Sequence, residues 1–198
     1  MLNVIEPQEQ DFYKHTINSY LNLLKIYQNF ELSSEDKSNA TFIIAEDEGR
    51  GVYGGALLYQ RQVTSLHEKI AKIILSFQPE RQEVWGGLLC FCVEDNESVF
   101  TLNTLDLYQS FYQNLYRAFV TFGEQKNLDF LAITLRYKDY RNIRTYGHWP
   151  YLLEVPPHDT PDSYFHGLLD VGNKKGDGLT PLQHSIALCS GQSDRSVL

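Results

Sequence analysis

The sequence predicts an α/β (α+β) fold, a single domain in which a mixed, mostly antiparallel central sheet is flanked by helices, with a helical insertion before the central strand. Three observations lead there. Strand-type and helix-type runs alternate from Asn3 to Val171 instead of segregating into halves. Glu83–Glu94 is apolar nearly throughout, as a central strand covered on both faces is. Leu105–Phe122 carries the strongest helical stripe in the chain, Tyr108, Phe111, Tyr112, Leu115, Phe119 and Phe122. A length of 198 residues with 42% hydrophobic content suits one well-buried core.

Each element has its own signal. Phe12, Ile17, Tyr20, Leu21, Leu24 and Tyr27 recur at three- and four-residue steps, which predicts an amphipathic helix over Asp11–Phe30. The polar stretch Glu31–Asn39 breaks that pattern before a strand at Thr41–Ala45, an acidic turn at Glu46–Gly51 and a second strand at Val52–Gln60. Gly54 and Gly55 inside that strand signal a bulge or a close backbone approach. Leu66, Ile70, Ile73 and Ile74 predict a short helix within Val63–Phe77, ending before Pro79. Gly123 is a stop signal for the long helix. Asp129–Arg136 reads as a strand, Lys138–Tyr146 as a short charged helix capped by Gly147, and Tyr151–Val155 and Tyr164–Val171 as the last strands. From Gly172 the composition turns to Gly, Ser, Lys, Gln and Asp, so the expected organisation is a domain over residues 1–171 and a C-terminal tail over 172–198, flexible or ordered by a partner.

Charge narrows the partners. Seventeen Lys+Arg against 25 Asp+Glu leave a net charge of -8, which opposes binding to phosphate backbones, so neither nucleic acid nor a membrane surface is expected. No run approaches the ~20 apolar residues of a spanning helix, and Met1–Gln10 has acids where a signal peptide has bases and then apolar residues, so the expected location is cytoplasmic. Cys90, Cys92 and Cys189 give an odd count with no disulfide frame. Cys90 and Cys92 share a strand face, but the histidines are scattered, and no metal site is expected. No hydrolase or phosphate-loop motif occurs. Aromatics reach 13%, and Tyr137–Tyr146 interleaves them with Lys138, Arg141 and Arg144 beside Arg136, which on a net-acidic chain reads as a solvated helix face or a protein-docking patch and not a nucleic-acid site.

The order helix, hairpin, insertion, central strand, long helix, strand, short helix, two strands resembles the GCN5-related N-acetyltransferase (GNAT) fold from Asn3 to Val171. Phe42–Glu46 with Gly51–Leu58, and Tyr146-Gly147-His148-Trp149 through Leu153-Glu154-Val155, are its local likenesses. A closer resemblance is to acyl-homoserine-lactone synthases, which have the insertion found here at Val63–Gln82 and open the central strand with Trp-Glu-x-x-Arg-Phe. This chain reads Trp85-Gly86-Gly87-Leu88-Leu89-Cys90-Phe91-Cys92-Val93. The glutamate and arginine that handle the amino substrate in that branch are absent, and neither Gly86 nor Cys90 replaces their charge. The glycine-rich coenzyme A pyrophosphate turn of the fold corresponds to Glu94–Thr104, which lacks glycine and holds Glu94, Asp95 and Glu97.

Two readings follow. The first is a catalytically degenerate acyltransferase fold acting as a protein-binding adaptor, with no cofactor. Its composition is similar to that of accessory chaperones of bacterial secretion assemblies, and its partner proteins are met through Tyr137, Tyr140, Arg141, Arg144 and Trp149 and through the tail. The alternative is an active N-acyltransferase using acyl-CoA or acyl-phosphopantetheine. The resemblance then implies Phe91, Cys92, Val93 and Thr101 along the acyl donor, and Tyr140 or Tyr146 as the general acid to the departing thiolate.

Overall fold

A computed structural model describes residues 2–28, 31–48, 51–91, 102–155 and 163–172. Among them a seven-stranded sheet runs β1(Leu2–Ile5), β2(Thr41–Asp47), β3(Gly51–Gln62), β4(Glu83–Phe91), β5(Phe130–Arg136), β7(Tyr164–Asp170), β6(Tyr151–Val155) in spatial order. Only β4 and β5 pair in parallel, and every other neighbour is antiparallel. The helices are α1(Lys14–Gln28), α2(Ser34–Asn39), α3(Glu68–Phe77), α4(Leu102–Lys126) and α5(Tyr137–Asn142).

Side-chain alternation divides the apolar residues between two layers. Ile43, Ala45, Ala56, Leu58, Leu131, Ile133, Leu135 and Phe165 face α4, whose Tyr112, Leu115, Phe119 and Phe122 are buried against them. On the opposite face Phe42, Ile44 and Leu57 pack against Ile17, Tyr20 and Leu24 of α1. Val84, Ala132 and Leu168 pack there against Ile70 and Ile74 of α3. The central strands are therefore covered on both sides, as the apolar run at Glu83–Glu94 predicts; its last three residues lie outside the described set.

Several boundaries move for physical reasons. Ser33 accepts a hydrogen bond from the Asp36 amide, and with Glu35 and Asp36 in the first turn this nucleates α2 inside the stretch expected to be irregular. β1 was not foreseen because four residues, Leu-Asn-Val-Ile, carry too short a pattern to register. The bulge lies in β3 beside Gly54, where Ala45 pairs with Gly54 and Glu46 with Val52 so that Tyr53 is the extra residue, and Gly55 is the close approach: a Cβ there would stand 2.3 Å from the Ile43 carbonyl oxygen. Gly123 does not end α4, which runs on to Lys126 and is followed by Asn127 at φ 52. That glycine is instead where helix meets strand end, since a Cβ would fall 2.8 Å from Val171. The short helix breaks into α5 and a π-helical turn, Ile143–Gly147, and the left-handed residue after it is His148, at φ 50, not Gly147.

Candidate functional site

The sheet opens at its centre. β4 and β5 pair only at Gly86 with Ala132, Gly87 with Ile133 and Leu88 with Thr134. Beyond that point β4 stays bonded to β3 as far as Phe91, and β5 stays bonded to β7 as far as Arg136. Each strand keeps its outer neighbour and leaves the inner one, which makes a wedge at the C-terminal ends of two parallel strands. The edges of Leu89–Phe91 and Leu135–Arg136 that face this wedge hold backbone groups without a sheet partner across it, and such groups require another partner when water is excluded. Ligands of α/β sheets bind at this end of the strands.

One wall of the wedge is built by α5, which follows β5 directly and packs against β4. Asp139 on α5 is buried, and the Tyr112 hydroxyl of α4 donates to its Oδ1 at 3.4 Å. Burial drives the Asp139 carboxyl up to about 7, against the opposing pull of Lys138, the Tyr112 hydrogen bond and Arg136. Burial and the nearby Asp139 charge push the Tyr112 phenol well above its ordinary range. The Tyr108 ring stacks on Tyr146 with centroids 5.8 Å apart, bringing the π-helical turn against the first turns of α4.

The opposite face carries a second polar group. Arg61 donates to Thr134 Oγ1 at 3.1 Å, and Thr134 is the last residue of β5 paired with β4. Thr134 Oγ1 lies 3.4 Å from His166 Nδ1, and the His67 and His166 rings are 5.1 Å apart. Burial first, then the charges of His67 and Arg61, lower the His166 imidazole to about 4, so it is neutral at physiological pH.

The residues singled out from sequence separate into distinct environments. Tyr146 is half-buried beside α4, whereas the Tyr140 ring stacks on Phe165 of β7 at 4.5 Å, with Tyr151 of β6 against the same ring. Tyr140 thus leans toward the far edge of the sheet and away from β4. Trp149 corrects the expectation of a surface anchor. It is 5% exposed, and its indole N–H donates to the Tyr112 carbonyl at 3.0 Å, because the turn after Gly147 folds the ring under α4. Arg141 is exposed over the Tyr137 ring, and exposed Arg144 pairs with Glu154 at 3.3 Å. Phe91 ends β4, while Cys92, Val93, Thr101 and the tail from Asn173 lie outside the described residues. Asp139, Arg61, Thr134 and His166 escaped notice, because the contacts that join them cross up to 73 positions of sequence. The pair Gly86-Gly87 in an apolar strand was the one local clue.

The sequence matches no protein-family model and no curated protein. Solved structures do match. The CoA-dependent acyl-homoserine lactone synthase BjaI, in structures with MTA and with SAM and isopentyl-CoA, superposes at a TM-score of 0.52 with 12% identity over 96% of this chain and 89% of that one. MesI, a second CoA-dependent acyl-homoserine lactone synthase, matches over 98% of this chain and 97% of that one at 14% identity and a TM-score of 0.47. The chain has the GNAT fold that the order of its elements resembles.

Proposed function

We propose that this protein is an N-acyltransferase that moves an acyl group from a pantetheine thioester to an amine. The observation that carries the reading is the wedge between β4 and β5. An extended pantetheine arm has amides spaced to act as a strand, and the facing edges of Leu89–Phe91 and Leu135–Arg136 supply the backbone donors and acceptors to bind it. The thioester then sits near the closed end of the wedge, between α5 on one face and Thr134 on the other.

The chemistry asked of the protein is modest. The amine attacks the thioester carbonyl, a C–N bond forms, the C–S bond breaks, the nitrogen gives up a proton to solvent, and the departing sulfur takes one from the general acid, which solvent then reprotonates. Tyr146 is the proton donor this reading favours, because it is half-buried and its ring is stacked on Tyr108 of α4. Tyr140, committed to Phe165, is not. The acids Glu94, Asp95 and Glu97 in the sequence after β4 disfavour a nucleotide pyrophosphate there, which points to a carrier-borne phosphopantetheine over free acyl-CoA as the better donor. The adaptor reading is the weaker one, because the fold takes Trp149 and Tyr140 into packing and leaves Arg141 and Arg144 as the exposed part of its docking patch.

Thiol release from acyl-pantetheine, acyl-CoA and acyl-carrier protein, each with a panel of amines, tests this. Turnover with at least one donor is expected, together with a loss of roughly 100-fold in kcat and little change in KM for Tyr146→Phe. Absence of both binding and turnover with all three donors refutes the proposal.

A further inference from the structure

Arg61 takes an unusual path. It stands on β3 opposite Val84, yet its guanidinium reaches Thr134 on β5, on the far side of β4. Gly86 makes the crossing possible, since a Cβ at that position would lie 2.5 Å from Arg61 Cδ and 3.2 Å from Cγ. The partners of the guanidinium are neutral: the Thr134 hydroxyl at 3.1 Å and the Ser65 carbonyl at 3.4 Å. Among the described residues no carboxylate forms an ion pair with it. His166 and His67 stand next in line, and Arg61, His67, Thr134 and His166 are all half-buried, so a ligand can reach them from solvent.

A half-buried guanidinium beside a hydroxyl and two imidazoles, with no counter-ion among the described residues, is a site that selects an anion. The planar fork of arginine fits a carboxylate in particular. The charge is also opposite to what the lactone-synthase pattern implies: the residue after Trp85 would be a glutamate, and here Gly86 leaves that space to the arm of a cation.

We propose that Arg61, Thr134 and His166 form a carboxylate-binding site at the closed end of the wedge, on the α3 side of the sheet. Recognition of the carboxylate stands on this cluster alone. Its use rests on the acyltransferase reading, in which the carboxylate belongs either to an amino-acid acceptor or to the far end of a dicarboxylic acyl chain.

Calorimetric titration of the whole protein with glutarate, and with glutaramide as its uncharged counterpart, tests recognition. Glutarate is expected to bind at least tenfold more tightly than glutaramide. Arg61→Gln and Gly86→Glu should each reduce glutarate affinity tenfold or more, and Arg61→Lys should fall between, because it keeps the charge and loses the fork. Retained melting temperature in Arg61→Lys guards against misfolding. Equal affinity for the two probes, or unchanged glutarate affinity in Arg61→Gln, overturns the proposal.

Thiol-release assays then separate the sources. A preference for amino acids over their amides as acceptors, lost in Arg61→Gln, assigns the carboxylate to the acceptor. A preference for glutaryl- over butyryl-pantetheine, lost in the same variant, assigns it to the donor. Glutarate binding without thioester binding leaves the carboxylate site standing and removes the acyltransferase reading, and the converse pattern removes the site alone.

Discussion

Asp139 lies under α5 with its carboxyl against the Tyr112 hydroxyl, and its elevation to about 7 has a consequence for stability. In the unfolded chain an aspartate titrates near ~3.9. Between about pH 4 and pH 7 the folded form therefore holds a proton that the unfolded form has released, and stability falls as pH rises through that window. Above it the full cost applies, on the order of 1–4 kcal/mol. Asp139→Asn keeps a neutral oxygen for the Tyr112 contact and removes the ionisation. It should melt several degrees higher than the unsubstituted protein at pH 8 and show no advantage at pH 4, as followed by circular dichroism. An equal difference at both pH values would show that the effect comes from packing and not from the proton.

At the scale of elements, legibility followed length and period. The stripe from Tyr108 to Phe122 is long enough for its periodicity to dominate, and α4 contains it whole. α2 has no buried residue at all and rests on its cap, so no apolar pattern announced it. The split of the short helix was also invisible in sequence, because the contact next to it is tertiary. Trp149 is drawn inward to donate to the Tyr112 carbonyl, directly after the wider π-helical turn at Ile143–Gly147. A residue that looked like an interface aromatic instead ties the turn after α5 to α4. Trp149→Phe keeps an aromatic ring and removes the indole N–H bond to the Tyr112 carbonyl, which also serves the α4 ladder, at a cost of about 0.5–1.5 kcal/mol. Thermal unfolding should register that loss. If this tie also holds Tyr146, kcat for acyl transfer should fall further than in a core substitution of equal destabilisation, assayed well below its melting point.

For the molecule as a whole, the parallel pair is the shortest ladder of the sheet among the described residues, and the proposed acyltransferase function rests on it. One half, β1 to β4, and the other, β5 to β7, share strand bonds only from Gly86 to Leu88 on one side and Ala132 to Thr134 on the other. The strand and helix signals led to a mixed, mostly antiparallel sheet with Glu83–Glu94 at its centre, and left open that β4 and β5 are the parallel pair. They did not foretell where the pair stops, because strand length in sequence says nothing about which edge stays bonded. On the proposed reading, a pantetheine arm laid in the wedge would act as a strand between the halves and couple its binding to the stability of the sheet. At a donor concentration about 100 times its Kd, the stabilisation is about 2.7 kcal/mol, which for a chain of this size raises the melting temperature by roughly 5–10 °C. The location matters more than the size. Hydrogen exchange should slow selectively at Leu89–Phe91 and Leu135–Arg136, whose amides border the wedge, while β1 and β6 at the sheet edges keep their rates under native-state exchange. Protection spread evenly over the sheet, or confined to the α1 surface, would place the donor elsewhere and remove the wedge as the binding site.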